Sequence, residues 1–188
     1  MKKELIRCSW CLSSELMMNY HDEEWGVPVH DDRLHFEYIV LDSFQAGLSW
    51  STILNKRENF RKAFDGFDPT KIARYTPVKV EKLMKDEGII RNKLKILATI
   101  TNAKNFMDIQ KEFGSFDKFI WQFTNGKVID NSRKSQKGIP AKSKISEKMS
   151  EELYARGFKF VGSTICYAYM QAAGMVNDHL TSCHTRKK

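Results

Sequence analysis

The stretch from Arg156 to Cys183 constrains the fold more than any other part of this sequence. Gly157 and Gly162 bracket a short turn that contains both apolar and basic residues. A helical pattern precedes the turn, and another follows it up to Gly174, which has the position of a glycine that ends a helix. The order of helix, glycine-bounded turn and helix predicts a helix-hairpin-helix over about residues 147–173.

Such a hairpin is suited to holding a phosphate group. The backbone N–H groups at the start of its second helix point outward together, and the helix dipole adds positive potential behind them. Lys159 and Arg156 would add charge beside the turn. An ordinary helical hairpin with two capping glycines has the same pattern, so the turn alone leaves both interpretations open. The net charge of +8 favours a polyanionic partner.

Cysteines and histidines near the two ends of the chain have the spacing of metal ligands. Cys8 and Cys11 form a C-x2-C pair, His21 follows, and His179 and Cys183 form an H-x3-C pair. A tetrahedral zinc ion that joined the two ends would contribute folding energy directly. Spacing alone favours Cys8, Cys11, His179 and Cys183. A set with His21 in place of Cys11 is the alternative, and buried thiols without a metal are a third possibility.

Helical periodicity dominates the chain, and strand patterns are nearly absent. The 188 residues suit one folded unit over 1–188, and we predict an all-α fold of many short helices with tight links. Asp68-Pro69 and Thr76-Pro77 are predicted helix starts, because proline suits the first helical position. The basic stretch 127–146 has little periodicity and is predicted to be a mobile loop.

Nothing in the sequence points to a membrane or to secretion. It has no apolar run of about 18 residues, and its first residues lack the apolar core of a signal peptide. Four cysteines without such a signal argue for a reducing compartment. We therefore expect a cytoplasmic protein with no membrane partner.

Asp42 occupies an unusual position for a carboxylate. It lies within the apolar helical pattern of residues 34–44, where burial would be costly unless the group is paired. Alternatively, its side chain faces water beside the apolar stripe. The following segment, Gln45-Ala46-Gly47-Leu48, has small residues that indicate a break between two helices, and Trp50 comes directly after it.

These residues together carry a resemblance to a known family. The matching segments are YHDEEWGVP (20–28), QAGLSW (45–50), KRENF (56–60), GIIR (88–91) and the stretch from Arg156 to Cys183. They resemble the bacterial DNA-3-methyladenine glycosylase I family, within the helix-hairpin-helix glycosylase superfamily. The match runs over nearly the whole chain, and the motifs are highly specific in combination.

The resemblance implies an α-helical glycosylase fold with one structural zinc ion per chain. This zinc clasp would join the segments 8–21 and 179–183. The zinc ligands of the family fall on Cys8, His21, His179 and Cys183. The resemblance thus decides against Cys11, which spacing alone favours.

The resemblance also implies a base pocket and a DNA-contacting surface. The pocket of the family falls on Trp10, Met17, Tyr20, Trp25 and Trp50. Trp50 would stack on the base, Tyr20 would bond its edge, and the catalytic positions are Asp42 and Tyr20. The residues expected to press into the duplex are Gln45, Ala46, Gly47 and Leu48, and those expected to hold the DNA backbone are Lys159, Gly162, Ser163 and Thr164. For each tryptophan alone, plain core packing is the alternative.

Two residues depart from the family pattern. Asp42 aligns with a glutamate that binds the methylated base, so the carboxylate is one methylene shorter. Met17 aligns with a pocket tyrosine and lacks its hydroxyl and its planar face. The recognition end of the pocket is therefore altered, and we expect a weakened, shifted or broadened base preference.

The implied function is a DNA repair enzyme that flips an alkylated adenine, 3-methyladenine, out of the duplex and hydrolyses its N-glycosidic bond. Its expected partner is double-stranded DNA with alkylated bases, and the protein is expected to be a monomer. The altered Asp42 and Met17 also fit a protein that reads lesions or abasic sites without cutting the bond. A zinc-stabilised RNA-binding protein is a weaker alternative.

Overall fold

The computed structural model describes residues 5–187 and is built mainly from helices. Within this range the α-helices are α1 (Glu15–Glu23), α2 (Asp32–Gln45), α3 (Trp50–Ala63), α4 (Pro69–Ile72), α5 (Pro77–Lys85), α6 (Lys93–Phe113), α7 (Phe116–Ile120), α8 (Lys144–Ala155) and α9 (Ser163–Ala172). Two short strands, β1 (Ile129–Asp130) and β2 (Val176–Asn177), pair in parallel. The all-α prediction is confirmed. In the described range, no helix is both long and apolar enough to cross a membrane.

Local capping explains where several helices begin and end. The Asp68 side chain accepts hydrogen bonds from the first backbone N–H groups of α4, and Thr76 caps α5 in the same way. Both predicted helix starts are therefore confirmed. Gly114 ends α6 in the left-handed conformation, with φ of 84°. A left-handed glycine at this position ends a helix without steric strain.

Helix α2 lies in the centre of the fold. All of its residues from His35 to Phe44 are buried, because α3, α6, α7 and α9 pack around it. A helix that is enclosed on all sides has no solvent face, which explains why its apolar pattern is so broad. The fully buried aromatic side chains around it include Phe36, Phe44, Phe60, Phe64, Phe106, Phe116 and Phe158. Burying each one stabilises the fold by about 1.5–3 kcal/mol. The Asp42 side chain is therefore carried into the interior.

The basic stretch 127–146 differs from the predicted mobile loop. Its first part forms β1, in which Ile129 pairs with Val176, and its last part begins α8. Between them, Arg133 donates a hydrogen bond to the buried carboxylate of Asp178 at 2.9 Å. Arg133 and Asp178 are 45 positions apart in the sequence. Because periodicity reports only local structure, it gave no sign of this anchoring.

Helices α8 and α9 pack against each other and are joined by the turn 156–162. Gly157 takes a positive φ of 87°, and Gly162 is the N-cap residue of α9. Gly162 has no side chain to cap the helix, so the first N–H groups of α9 have no side-chain acceptor from the N-cap position. Arg156 does not supply an unpaired positive charge beside the turn, contrary to the prediction. It forms ion pairs with Glu112 and Glu152 instead.

Candidate active site

A cavity of about 210 Å³ opens beside α2. Its wall includes all four aromatic side chains that the resemblance implies, together with the predicted carboxylate: Trp10, Tyr20, Trp25, Trp50 and Asp42. These side chains come from a 3-10 turn (Ser9–Cys11), α1, the residues after α1, α3 and α2. Residues far apart in sequence therefore converge on one concave site, as ligand-binding pockets commonly require.

The aromatic side chains contact one another mainly through tilted and edge-on geometry. The ring centroids of Trp10 and Trp25 lie 5.0 Å apart at an interplanar angle of 67°. Those of Tyr20 and Trp50 lie 5.3 Å apart at 45°. Because these rings brace each other and still line an open cavity, they are walls of the site as well as core residues. Met17 is buried in the same cluster but is not among the residues that line the cavity.

Asp42 is buried, with only 3% of its surface exposed, so it does not face water beside the apolar stripe. Burial raises the pKa of its carboxyl well above the usual range. Within residues 5–187, neither its Oδ2 atom nor the Nε1 atom of Trp50 has a hydrogen-bond partner. An unpaired buried polar atom costs about 1–3 kcal/mol. The site thus has two unpaired polar atoms, an oxygen of the Asp42 carboxyl and the indole nitrogen of Trp50, which a polar ligand can satisfy.

The segment Gln45 to Leu48, here called the α2–α3 loop, forms a tight turn at the mouth of the cavity. Gln45 lines the cavity, and the backbone N–H of Leu48 donates to the Gln45 carbonyl at 2.7 Å. Gly47 has a φ of 86°, which favours glycine at this position. A Cβ atom added there would meet nothing within 4 Å, and Leu48 is 37% exposed. The loop, including Ala46, therefore projects an apolar side chain beside the cavity.

The turn before α9 lies near this loop and is held by side chains from other helices. The Asn102 side chain on α6 accepts a hydrogen bond from Lys159 N at 2.8 Å and donates one to Lys159 O at 3.0 Å. On α2, the Ser43 hydroxyl donates to the Phe160 carbonyl at 3.2 Å. The Lys159 side chain is exposed, and Ser163 and Thr164 begin α9. The turn is thus fixed against α2 and α6, with one lysine free to meet an anion.

Four potential metal ligands come together at one side of the cavity. Their ligand atoms lie within 4.8 Å of one another, and all four residues are buried: Cys8, His21, His179 and Cys183. We call these four residues the Cys/His cluster. Cys11 is outside it, because its Sγ atom donates to the Cys8 carbonyl at 3.1 Å. The set that spacing alone favours is therefore not the one that the fold assembles.

The two histidines of the Cys/His cluster are oriented by bonds on their outer nitrogen atoms. His21 Nδ1 bonds Asp22 at 2.8 Å, and His179 Nε2 bonds the Trp25 carbonyl at 2.9 Å. Of their other nitrogen atoms, His21 Nε2 lies 3.4 Å from Cys183 Sγ, and His179 Nδ1 lies 2.8 Å from the Thr185 hydroxyl and 3.7 Å from Cys183 Sγ. Such outer bonds fix the tautomer and the direction of a metal-binding imidazole. The cluster thus has the donor set, burial and orientation that zinc prefers.

Five further residues line the cavity without having been predicted: Gln136, Ile139, Ala168, Gln171 and Ala172. Gln136 and Ile139 belong to the basic stretch 127–146, whose long-range anchoring leaves no local signal in the sequence. Gln171 could have been found, since it shares one face of α9 with the small residue Ala168, three positions before it.

Comparisons with known proteins identify the family of this chain. A family model described as methyladenine glycosylase matches residues 10–187. DNA-3-methyladenine glycosylase of Haemophilus influenzae is 44% identical over 177 residues, which cover 94% of this chain and 96% of that protein. DNA-3-methyladenine glycosylase 1 of Escherichia coli is 45% identical over 94% of this chain and 95% of its own length.

Solved structures give the same result. A crystal structure of 3-methyladenine DNA glycosylase I superposes with a TM-score of 0.93 at 46% identity, covering 95% of this chain and 98% of the other. The Staphylococcus aureus enzyme, studied for the structural basis of 3-methyladenine recognition, gives a TM-score of 0.93 at 33% identity, with 97% of each chain covered. The resemblance drawn from the motifs is confirmed, and the chain belongs to the methyladenine glycosylase family.

Proposed function

We propose that this protein is a DNA-3-methyladenine glycosylase, a hydrolase that removes alkylated adenine from DNA. The observation that carries the proposal is the unpaired, buried carboxylate of Asp42 inside an aromatic-walled cavity. Family membership supports the same activity, because relatives matched over 94% of this chain are named for it. These names do not favour a protein that only reads lesions.

The cavity suits a base that has left the DNA stack. An enzyme reaches the glycosidic bond only after the nucleotide is flipped out, and the flipped base must be received between apolar faces. Trp50 and Tyr20 supply such faces here, and Trp10 and Trp25 close the far side. Stacking on an aromatic ring contributes about 1–3 kcal/mol per base. We propose that this contribution offsets part of the unstacking cost and that Tyr20 bonds the edge of the base.

The charge of the lesion explains the role of Asp42. An adenine methylated on a ring nitrogen is cationic while it is still bonded to deoxyribose. A cation within a few ångströms favours the ionised form of a buried carboxyl. Arrival of the damaged base would therefore convert Asp42 from a neutral acid to a carboxylate that pairs with it. A normal, neutral adenine gives no such compensation, so the pocket discriminates by charge.

Bond cleavage then needs little further chemistry. The cationic base is already a good leaving group, and water attacks the sugar to complete hydrolysis and leave an abasic site. Electrostatic stabilisation in a site shielded from water is effective because few solvent dipoles need to reorganise. Asp42 and the surrounding aromatic faces supply this stabilisation.

We propose that double-stranded DNA binds across the two exposed segments beside the cavity. The α2–α3 loop would press Leu48 into the duplex next to the flipped nucleotide, as apolar wedges do when they unstack a base step. The N–H groups of Gly162, Ser163 and Thr164 at the start of α9 would hold a backbone phosphate, with Lys159 alongside. The net charge of +8 supports this partner. The DNA substrate also implies action in the bacterial cytosol.

We further propose that the Cys/His cluster binds one structural zinc ion. Two thiols and two imidazoles at this spacing match the tetrahedral ligand set of zinc. All four positions come from buried protein side chains, as in structural rather than catalytic sites. Bound there, zinc would supply folding energy by linking segments 8–21 and 179–183.

The test of the activity is base release from methylated duplex DNA, resolved by chromatography. Wild-type protein should release 3-methyladenine, and Asp42→Asn should release it at least about tenfold more slowly, since an amide cannot become an anion. Asp108→Asn is the matched control, because this carboxylate is exposed and, among residues 5–187, forms an ion pair with Lys111 alone. No release by wild-type protein from DNA that it binds would contradict the proposal and favour a lesion reader.

A further inference from the structure

Lys95, in the first turn of α6, is buried and bonded only to backbone carbonyl groups among the described residues. Only 7% of its surface is exposed. Its Nζ atom donates hydrogen bonds to the Phe44 carbonyl at 2.9 Å and to the Ala46 carbonyl at 2.8 Å. In residues 5–187 no carboxylate lies within ion-pair distance of it. Burial lowers the pKa of this amine.

These two carbonyls belong to the C-terminal end of α2 and to the α2–α3 loop. The last carbonyls of a helix have no partner within the helix, and the negative end of the helix dipole lies there. A lysine ammonium donates hydrogen bonds to these carbonyls and places a positive charge at the negative end of the dipole. Burying a cation without a carboxylate is nevertheless expensive, and a methionine would fill a similar space without that cost. The bonds to Phe44 and Ala46 are what this position gains from a lysine.

Helix α6 also holds the turn before α9. Asn102 lies seven residues after Lys95, two helical turns further along, and makes both of its side-chain bonds to the backbone of Lys159. The Lys95 ammonium lies 6.0 Å from the centre of the Phe160 ring in the same turn. One helix therefore fixes the α2–α3 loop at one point and the turn at another. The two proposed DNA-contacting segments share a common support.

We propose that Lys95 is a positioning residue for base flipping, which holds the α2–α3 loop in place against the duplex while the turn before α9 grips the backbone. This inference rests on the proposed function. A side chain that is inserted between stacked bases is pushed back by the duplex, so the loop that carries it must be held in position. Without Lys95, the Phe44 and Ala46 carbonyls would lose their hydrogen-bond donor, and the α2–α3 loop would be displaced on contact with DNA.

The proposal predicts a specific split between binding and base removal. The turn before α9 stays held by Asn102 and Ser43, so affinity for duplex DNA should change little. The cavity walls do not include Lys95, so affinity for the free base should also be retained. Only base flipping, which requires the α2–α3 loop to stay in position, should become slower. A misplacement of about 1 Å in a positioned group can lower a rate up to about a hundredfold.

The experiment compares wild-type protein, Lys95→Met and Lys104→Met. Lys104 lies on α6, is exposed, and has no ion pair in the described structure, so its variant controls for the loss of one charge from this helix. Three quantities are measured. They are the quenching of tryptophan fluorescence by free 3-methyladenine, the affinity for duplex DNA with a stable abasic-site analogue, and the single-turnover release of 3-methyladenine from methylated duplex.

The expected result is that Lys95→Met binds the free base and the duplex within about twofold of wild type but releases the base at least about tenfold more slowly. Lys104→Met should match wild type in release. Release at the wild-type rate by Lys95→Met would overturn the inference, and so would loss of free-base binding, since Lys95 would then support the cavity or the fold. If wild-type protein itself releases no base, the proposed function fails instead.

Discussion

His179 Nε2 lies 2.9 Å from the backbone carbonyl oxygen of Trp25, so one hydrogen bond joins the Cys/His cluster to the wall of the cavity. Because a carbonyl oxygen only accepts, His179 carries its proton on Nε2, which leaves Nδ1 as an acceptor between the Thr185 hydroxyl and the thiols of Cys8 and Cys183. The state of the cluster and the position of Trp25 are thus coupled. Loss of a ligand should affect both the stability of the protein and its affinity for a base.

Cys183→Ser tests this coupling. The substitution removes one thiolate, and we expect the protein to lose zinc and more than about 4 kcal/mol of unfolding free energy, since loss of a metal site is among the most destabilising changes. Metal analysis by mass spectrometry and urea unfolding would measure both. Cys11→Ser is the matched control, because Cys11 is buried nearby but outside the cluster, and it should keep one zinc per chain. Unaltered stability of Cys183→Ser would refute the zinc site.

Asp42→Asn should stabilise the free protein while it slows base release. The folded-state pKa of Asp42 is raised, so the carboxyl stays protonated in the folded protein after it has ionised in the unfolded chain. Wild-type stability therefore falls as pH rises above about 4, by about 1.4 kcal/mol per pH unit, until the folded pKa is reached. Asparagine removes this loss. The stability gain of the variant should grow as pH rises above about 4 and become constant once the folded-state pKa is passed, as measured by urea unfolding. If the unfolding free energies of wild type and Asp42→Asn differ by the same amount at every pH, Asp42 is ionised in the free protein.

Asp42→Glu should increase the release of 3-methyladenine relative to other methylated bases. The extra methylene brings the carboxylate closer to a base held against Trp50, and a hydrogen bond to a charged group contributes about 1.5–3 kcal/mol. Chromatography of the bases released from methylated DNA would give the ratio for each variant. Met17→Tyr makes a useful comparison, because Met17 is buried beside the cavity without lining it. We expect it to change the ratio less. Equal ratios for wild type and Asp42→Glu would exclude Asp42 as a determinant of preference.

Arg133→Met should loosen the segment that supplies Gln136 and Ile139 to the cavity. Asp178 is buried, and Arg133 is the only cation paired with it in the described structure. Removing this donor should lower the unfolding free energy by about 1–3 kcal/mol and speed hydrogen exchange in residues 131–139. Lys134→Met, an exposed neighbour, should change stability by less than about 0.5 kcal/mol. Wild-type exchange rates in Arg133→Met would mean that the segment is held by other contacts.

Local patterns in the sequence predicted those features that neighbouring residues determine. The caps at Asp68 and Thr76 gave helix starts, and the small residues around Gly47 gave a break between α2 and α3. The aromatic wall was reached only through the family motifs, since a tryptophan such as Trp25 looks the same in a core and in a pocket.

Features made by long-range contacts lay beyond such reasoning. Spacing favoured Cys11 as a metal ligand because C-x2-C is common, but the turn around it directs its thiol to the Cys8 carbonyl. Nothing in the local sequence distinguishes Lys95 from the other lysines of α6. Its ammonium group is buried against the end of α2, where its partner Phe44 lies 51 positions earlier in the sequence. Neither outcome is encoded in the few residues around each position.

The closure of the Cys/His cluster also sets an order of events during synthesis. Cys8 and His179 are 171 positions apart, so the ribosome makes α1 to α9 before the second pair of ligands exists. Until then Trp25 has no imidazole to bond, and the cavity lacks one of its supports. Protein segments generally fold as they emerge, from the N-terminal end onward. A chain interrupted before His179 would therefore lack the imidazole that bonds the Trp25 carbonyl at the wall of the cavity.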